Sequence, residues 1–285
     1  PKPGANYRFF YEFWHTYRRD SKKLKRYSMQ KFTLTSIFFL VLTLNHWGQR
    51  LDYDHSSRWF FGINAGAAWS CTDVENETNG GWGLTLGKSY NWKTGRRISF
   101  DLRGRYLHGN WYGQDYDTTN LDNYTGTSLN YYDSLTGYSV NNFQADVHRL
   151  AFELVIHANR IRERTGFDPY IFGGVGFTWH QTYGDLYDST YYDYASLVQD
   201  GTLSSMLTST LDGIYDTPLD GSSTETKVNF MPSLGFGLGY QIGKRTTFGI
   251  EHKTTFTRGD SFDGFISQAP RAKNDWYHYT SAYIQ

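Results

Sequence analysis

A single cysteine, Cys71, stands in the 285 residues. That excludes a disulfide framework and any zinc site built on cysteine. Proline is equally scarce, at six residues, so long stretches keep the backbone donors that a sheet requires. The mean hydropathy of −0.61 excludes a protein made of many membrane-crossing helices. The longest apolar run, Thr33 to Leu44, is too short for a comfortable spanning helix. There is no GxSxG and no HExxH, and no cysteine directly follows the apolar run to carry a lipid anchor. Basic residues are missing from the two longest polar segments, 111–144 and 182–226.

Aromatic residues and glycine are abundant. The chain holds 24 Tyr, 20 Phe and 9 Trp, together 19% of its residues, with 29 Gly. A low mean hydropathy is compatible with a membrane β-barrel, whose strands need only about 9–11 residues with every second one apolar. In such a barrel the aromatics form girdles at both interfaces and the glycines make room in a narrow interior.

The formal net charge of zero hides an asymmetry. Residues 1–28 hold eight Lys/Arg and two acids, whereas 49–285 hold 19 basic and 26 acidic residues. An acidic body argues against nucleic acid as a partner. From Met29 the chain has Lys31, then the apolar run, then Gly48. That order predicts a signal peptide over 29–48, cleaved near Gly48. Residues 1–28 fit no part of this scheme and are expected to be an upstream extension outside the mature fold. The barrel is expected over 49–285.

Period-2 alternation predicts eight strands, at about 58–70, 81–92, 97–110, 145–159, 168–181, 227–242, 245–258 and 274–285. Ser233–Gln241 is the clearest case, with Leu234, Phe236, Leu238 and Tyr240 on one face and Ser233, Gly235, Gly237, Gly239 and Gln241 on the other. A face of glycines suits a crowded lumen better than a solvated surface. Charges recur on the same inward face: Asp101, Glu153 and Glu251 against Arg103, Arg105, Arg149 and Lys253, with His157 beside them. Buried charges persist only when paired, so an ionic network filling the lumen is expected.

Short and long connections alternate. Lys93–Arg97, Arg160–Phe167 and Gly243–Lys244 are short and basic; 71–80, 111–144, 182–226 and 259–273 are longer and polar. This is the pattern of periplasmic turns and extracellular loops. The fold predicted is therefore an all-β, eight-stranded antiparallel transmembrane up-and-down barrel with long extracellular loops.

The loops offer contact surfaces. Asp185, Asp188 and Asp193 interleave with Tyr191, Tyr192 and Tyr194, and Asp115 and Asp117 lie in the earlier loop. Carboxylates suit calcium and tyrosine suits partner recognition, but no spacing here matches a calcium loop. The alternative reading is a solvated acidic surface. His108, His148, His157, His180, His252 and His278 show no metal-ligand spacing, so neither a metal site nor a cofactor is expected. No nucleophile–base pair is legible, so no catalysis is expected. A lipid-modifying enzyme at the rim would involve His180 and nearby loop acids. The sequon at Asn76 is given no functional weight.

The segment Arg162–Thr178 (RERTGFDPYIFGGVGFT) and the terminal Asn274–Ala282 (NDWYHYTSA) resemble the fourth turn, fifth strand and last strand of Gram-negative outer-membrane barrels related to outer-membrane protein A. The resemblance spans roughly 58–285. It implies a bacterial outer-membrane location among lipid and lipopolysaccharide. In many members it also implies a peptidoglycan-binding domain after the last strand. The function expected is a non-enzymatic, monomeric envelope protein, which the resemblance would make the membrane half of a peptidoglycan tether; a small channel or transport barrel is the second reading.

Overall fold

The computed structural model describes residues 55–285 apart from 94, 118, 121–123, 126–137, 189, 193–206, 208–209, 220–225, 243–244 and 268–273. The expected signal peptide and upstream extension lie outside the described residues, as does the Gly243–Lys244 turn.

Eight long strands carry the fold: β1 (His55–Cys71), β2 (Asn79–Trp92), β3 (Ile98–Gln114), β4 (Asn142–Ala158), β5 (Phe167–Gly184), β6 (Lys227–Gln241), β7 (Thr247–Phe256) and β8 (Trp276–Ile284). Each pairs antiparallel with its neighbours in sequence. β8 returns to β1, with Ile63 opposite Ile284 and Cys71 opposite Trp276. The sheet therefore closes, and among the described residues none of the eight long strands is left as an open edge, the condition for a strand protein to sit in lipid. This is the eight-stranded antiparallel barrel that the alternation predicted.

Closure turns the alternation of each strand into an inside and an outside. Along β3 the residues from Ile98 to Arg105 alternate between exposed or half-buried and fully buried positions. The outside carries a broad apolar belt: Phe61, Leu86, Leu102, Ile171 and Ile250 all project outward, with Phe152 68% and Phe236 61% exposed. A continuous ring of this kind would aggregate in water; facing acyl chains it is the ordinary surface of a spanning barrel. Among the described residues no helix is long and apolar enough to cross a membrane.

The inside is crowded, and glycines decide where large rings fit. A Cβ on Gly235 would run into the Phe172 ring, and one on Gly237 into the Tyr170 ring. The glycine face of β6 is the space those two aromatics of β5 occupy.

Two sequence expectations need correction. Arg160–Phe167 is not a plain turn: Asn159–Thr165 forms a short helix, α1, closed by Gly166 in the left-handed region (φ 77°), whose N–H donates to the Arg162 carbonyl. The helix rotates Arg162 back under the barrel, where it is 3% exposed, instead of into solvent. Second, β3 and β5 run to Gln114 and Gly184, beyond the expected ends at 110 and 181. They continue because their upper inward residues, Trp111 among them, have apolar loop residues to pack against.

Candidate functional site

The lumen is filled in layers. At the turn end, His157 bridges two carboxylates, with Nδ1 2.8 Å from Asp168 and Nε2 3.0 Å from Asp101. The Trp92 indole N–H donates to Asp101 (2.9 Å). The Arg162 guanidinium lies 3.8 Å over the Trp92 ring and 3.6 Å from Asp168. Asn159 Oδ1 accepts from both Ser99 (2.7 Å) and Arg162 (2.8 Å). Helix α1 thus fills the short-turn end of the barrel with a side chain that the sequence placed in a turn.

Above it sits the charge cluster. Arg103 contacts Glu153 at 2.7 Å and Glu251 at 3.2 Å. Arg105 pairs with both Glu251 and, at 3.5 Å, Glu153. Lys253 reaches Glu153 at 3.3 Å. The Tyr170 hydroxyl donates to Glu251 (3.1 Å), and both guanidinium groups lie over the Phe172 ring, at 4.4 and 5.4 Å. Burial costs these ions their hydration, and mutual pairing in a low dielectric offsets that cost. Arg149 stands apart from the carboxylates: its guanidinium donates to Thr178 Oγ1 (2.8 Å), the Met231 carbonyl (2.8 Å) and Ser233 Oγ (3.3 Å). All eight inward polar residues singled out in the sequence are buried.

The third layer is an apolar cap. Trp111, Phe143 and Tyr277 of the upper barrel meet Phe262, Phe265, Leu186 and Leu219 of the loops. Phe262 stacks on Tyr277 at 5.0 Å, and Trp111 meets Tyr277 edge-on at 5.1 Å. Sequence reasoning missed this cap. Its signal was available: Phe262 and Phe265 stand close together in a loop otherwise rich in Asp, Ser and Gly. His180 lies beneath the cap, 2% exposed and 5.5 Å from the Phe262 ring, and so is not presented at an open rim.

The loop acids divide. Asp185 is 2% exposed and organises its loop: its carboxylate accepts from Tyr192 (3.0 Å) and from the Gly213 N–H (2.8 Å), and its backbone is clasped by Asn142. Asp185, buried, and Tyr192, half-buried, are therefore tied to each other and to the described part of their loop. Asp115 accepts from the Glu75 N–H (2.9 Å), while Asp117 is exposed. Asp188 and Tyr191 belong to a small hairpin within the loop. Asp193 and Tyr194 lie outside the described residues.

Another group of acids holds the cap from above. Asp275 accepts from the Phe262 N–H (2.8 Å), and Asp263 accepts from the N–H groups of Phe265 (2.9 Å) and Asp73 (3.2 Å). Burial pushes the Asp263 carboxyl up to about 7 and that of Asp275 up to about 9, with neighbouring acids adding to both shifts. A carboxyl raised when folded stabilises the fold only while protonated. Its contribution is complete below the ordinary value of 3.8 and is lost as pH rises through about 7 to 9. Amide exchange in 257–267, corrected for intrinsic pH dependence, should therefore be slower at pH 5 than at pH 9. Asp275→Asn should flatten the difference; faster exchange at pH 5 would refute the assignment.

The fold also brings together histidines that are far apart in sequence. His108 and His148 are 40 positions apart in the chain and show no motif spacing, yet β3 and β4 place them directly opposite one another, with Asp146 beside them. Cross-strand register creates this group, which no linear spacing rule detects.

No family model and no curated protein matches the sequence. Solved structures with a similar chain course include neisserial surface protein A (TM-score 0.38, 9% identity, 81% of this chain and 97% of that one). Ail, the attachment invasion locus protein of Yersinia pestis, gives TM-score 0.38 at 7% identity, over 81% and 97% of the two chains. The N-terminal β-barrel domain of Pseudomonas aeruginosa OprF gives TM-score 0.31 at 8% identity, over 78% and 96%.

Proposed function

We propose that this chain is a non-enzymatic barrel of a Gram-negative outer membrane that serves as a structural element of the envelope, with its loops as the contact surface. The observation that carries this reading is the filled lumen. A helix-borne arginine under Trp92, a buried ion cluster and an apolar cap follow one another along the axis, each built from side chains that touch. A transport path would require a continuous polar channel, and a rim enzyme would require an open cleft with a nucleophile beside a base. The outer belt of Phe, Leu and Ile fits acyl chains. The tether to peptidoglycan rests on the family resemblance alone.

Planar-bilayer recording on the folded chain tests the reading against its main rival. Heat-modifiable gel mobility first verifies that the barrel has inserted. Steady-state silence is the expected result. Reproducible unitary conductance in the inserted protein would overturn the structural reading in favour of a channel.

A further inference from the structure

The outer wall changes character at one level. On β4 the outward residues run Leu154, Phe152, Leu150 and then His148, Asp146 and Gln144. The apolar belt ends at His148. Trp82 lies opposite His108, and Trp179 lies opposite His148, so two indoles bracket the histidine pair. Tryptophans in that position mark a membrane interface.

At this level three ligand-type atoms converge. His108 Nδ1 is 3.5 Å from Asp146 Oδ1, and His148 Nε2 is 3.7 Å from the same oxygen. One ligand atom from each residue lies within 4.8 Å of the others. Ligand atoms around a tetrahedral zinc with bonds of about 2.0–2.1 Å are about 3.3 Å apart, so two of the three separations already approach the required geometry. The imidazole rings are near parallel, with centroids 4.4 Å apart.

Two further observations point to a ligand. His108 Nδ1 and Asp146 Oδ1 are both shielded from solvent and have no hydrogen-bond partner, although they face each other. At a membrane edge, unpaired polar atoms are costly, and a cation between them would satisfy both. In addition, the Tyr106 hydroxyl lies 2.8 Å from His148 Nδ1. With Nδ1–H donating to that oxygen, Nε2 presents its lone pair towards Asp146. This is the outer-shell arrangement that orients a metal-bound histidine.

We propose that His108, Asp146 and His148 bind a borderline divalent transition-metal ion, Zn2+ foremost, on the outer wall of the barrel at the edge of the membrane. Two imidazoles and one carboxylate suit such an ion better than calcium or magnesium, which prefer all-oxygen shells. Three protein ligands leave a fourth position for water, so the site is open and exchangeable rather than a closed structural one. Outward placement means that its occupancy does not disturb the filled lumen.

The test is calorimetric titration of ZnCl2 into the chelator-treated, folded full chain in detergent. One ion per chain is expected. Affinity should fall at least tenfold in His108→Ala, Asp146→Asn and His148→Ala. Tyr106→Phe should lose about 10–100-fold, the usual cost of removing an outer-shell partner. His278→Ala, in the separate Trp69–His278–His252 stack, should bind as the native chain does. Heat-modifiable mobility checks that each variant is folded. If a variant does not fold, protection of His108 and His148 from diethylpyrocarbonate by Zn2+ in the native chain reads the same site. Absence of Zn2+ binding would reduce the group to an ion pair and overturn the proposal. So would binding that survives His108→Ala with His148→Ala, unprotected histidines, or loss of binding in His278→Ala instead.

Discussion

Replacing Glu153 with alanine will cost about 3–5 kcal/mol of barrel stability, the usual penalty for breaking one partner out of a buried ion cluster. Glu153 is the point where Arg103, Arg105 and Lys253 converge, and it is 2% exposed. Without it, Glu251 remains as the carboxylate for both guanidinium groups, and Lys253 loses its ion-pair partner. Phe172 covers the guanidinium groups from one side. Reversible urea titration of the folded chain in detergent, followed by gel mobility, measures the loss. A shift below about 1 kcal/mol would mean that the cluster is hydrated and that the lumen is not closed at this level. Glu153→Gln retains a hydrogen-bond acceptor and should cost less than Glu153→Ala.

Truncating Trp111 to alanine should cost a further large amount, about 3–5 kcal/mol, as expected for deleting a fully buried aromatic. Trp111 is completely buried, donates its indole N–H to the His278 carbonyl (3.3 Å), and packs edge-on against Tyr277 and Phe262. Because Phe262 belongs to a loop, the loss should spread. Amide exchange in 257–267 should accelerate together with the drop in global stability. A stability loss without faster exchange there would show that the cap does not depend on the barrel beneath it.

Strand number, the inside–outside sorting and the acidity of the loops were legible from sequence, because each is local. Alternation at i and i+2 is written within one strand, as in Phe100–Tyr106 and Ser233–Gln241, and a closed barrel in lipid obliges every strand to obey it. The sequence by itself therefore determined which side chains would be inside: Asp101, Arg103, Arg105, Arg149, Glu153, His157, Glu251 and Lys253 are all buried. It could not assign their partners. That His157 joins Asp101 to Asp168, that Arg149 takes hydroxyl and carbonyl oxygens instead of a carboxylate, and that His108 meets His148 all depend on the stagger between strands. Stagger is a property of the closed sheet and of no single strand. The loops carry the same lesson in a different form. Asp185 and Phe262 read as members of a polar surface until the loops fold over the mouth. Burial there depends on contacts between residues distant in the chain, as between Asn142 and Asp185 or Thr182 and Phe262, and only the tertiary structure brings those together.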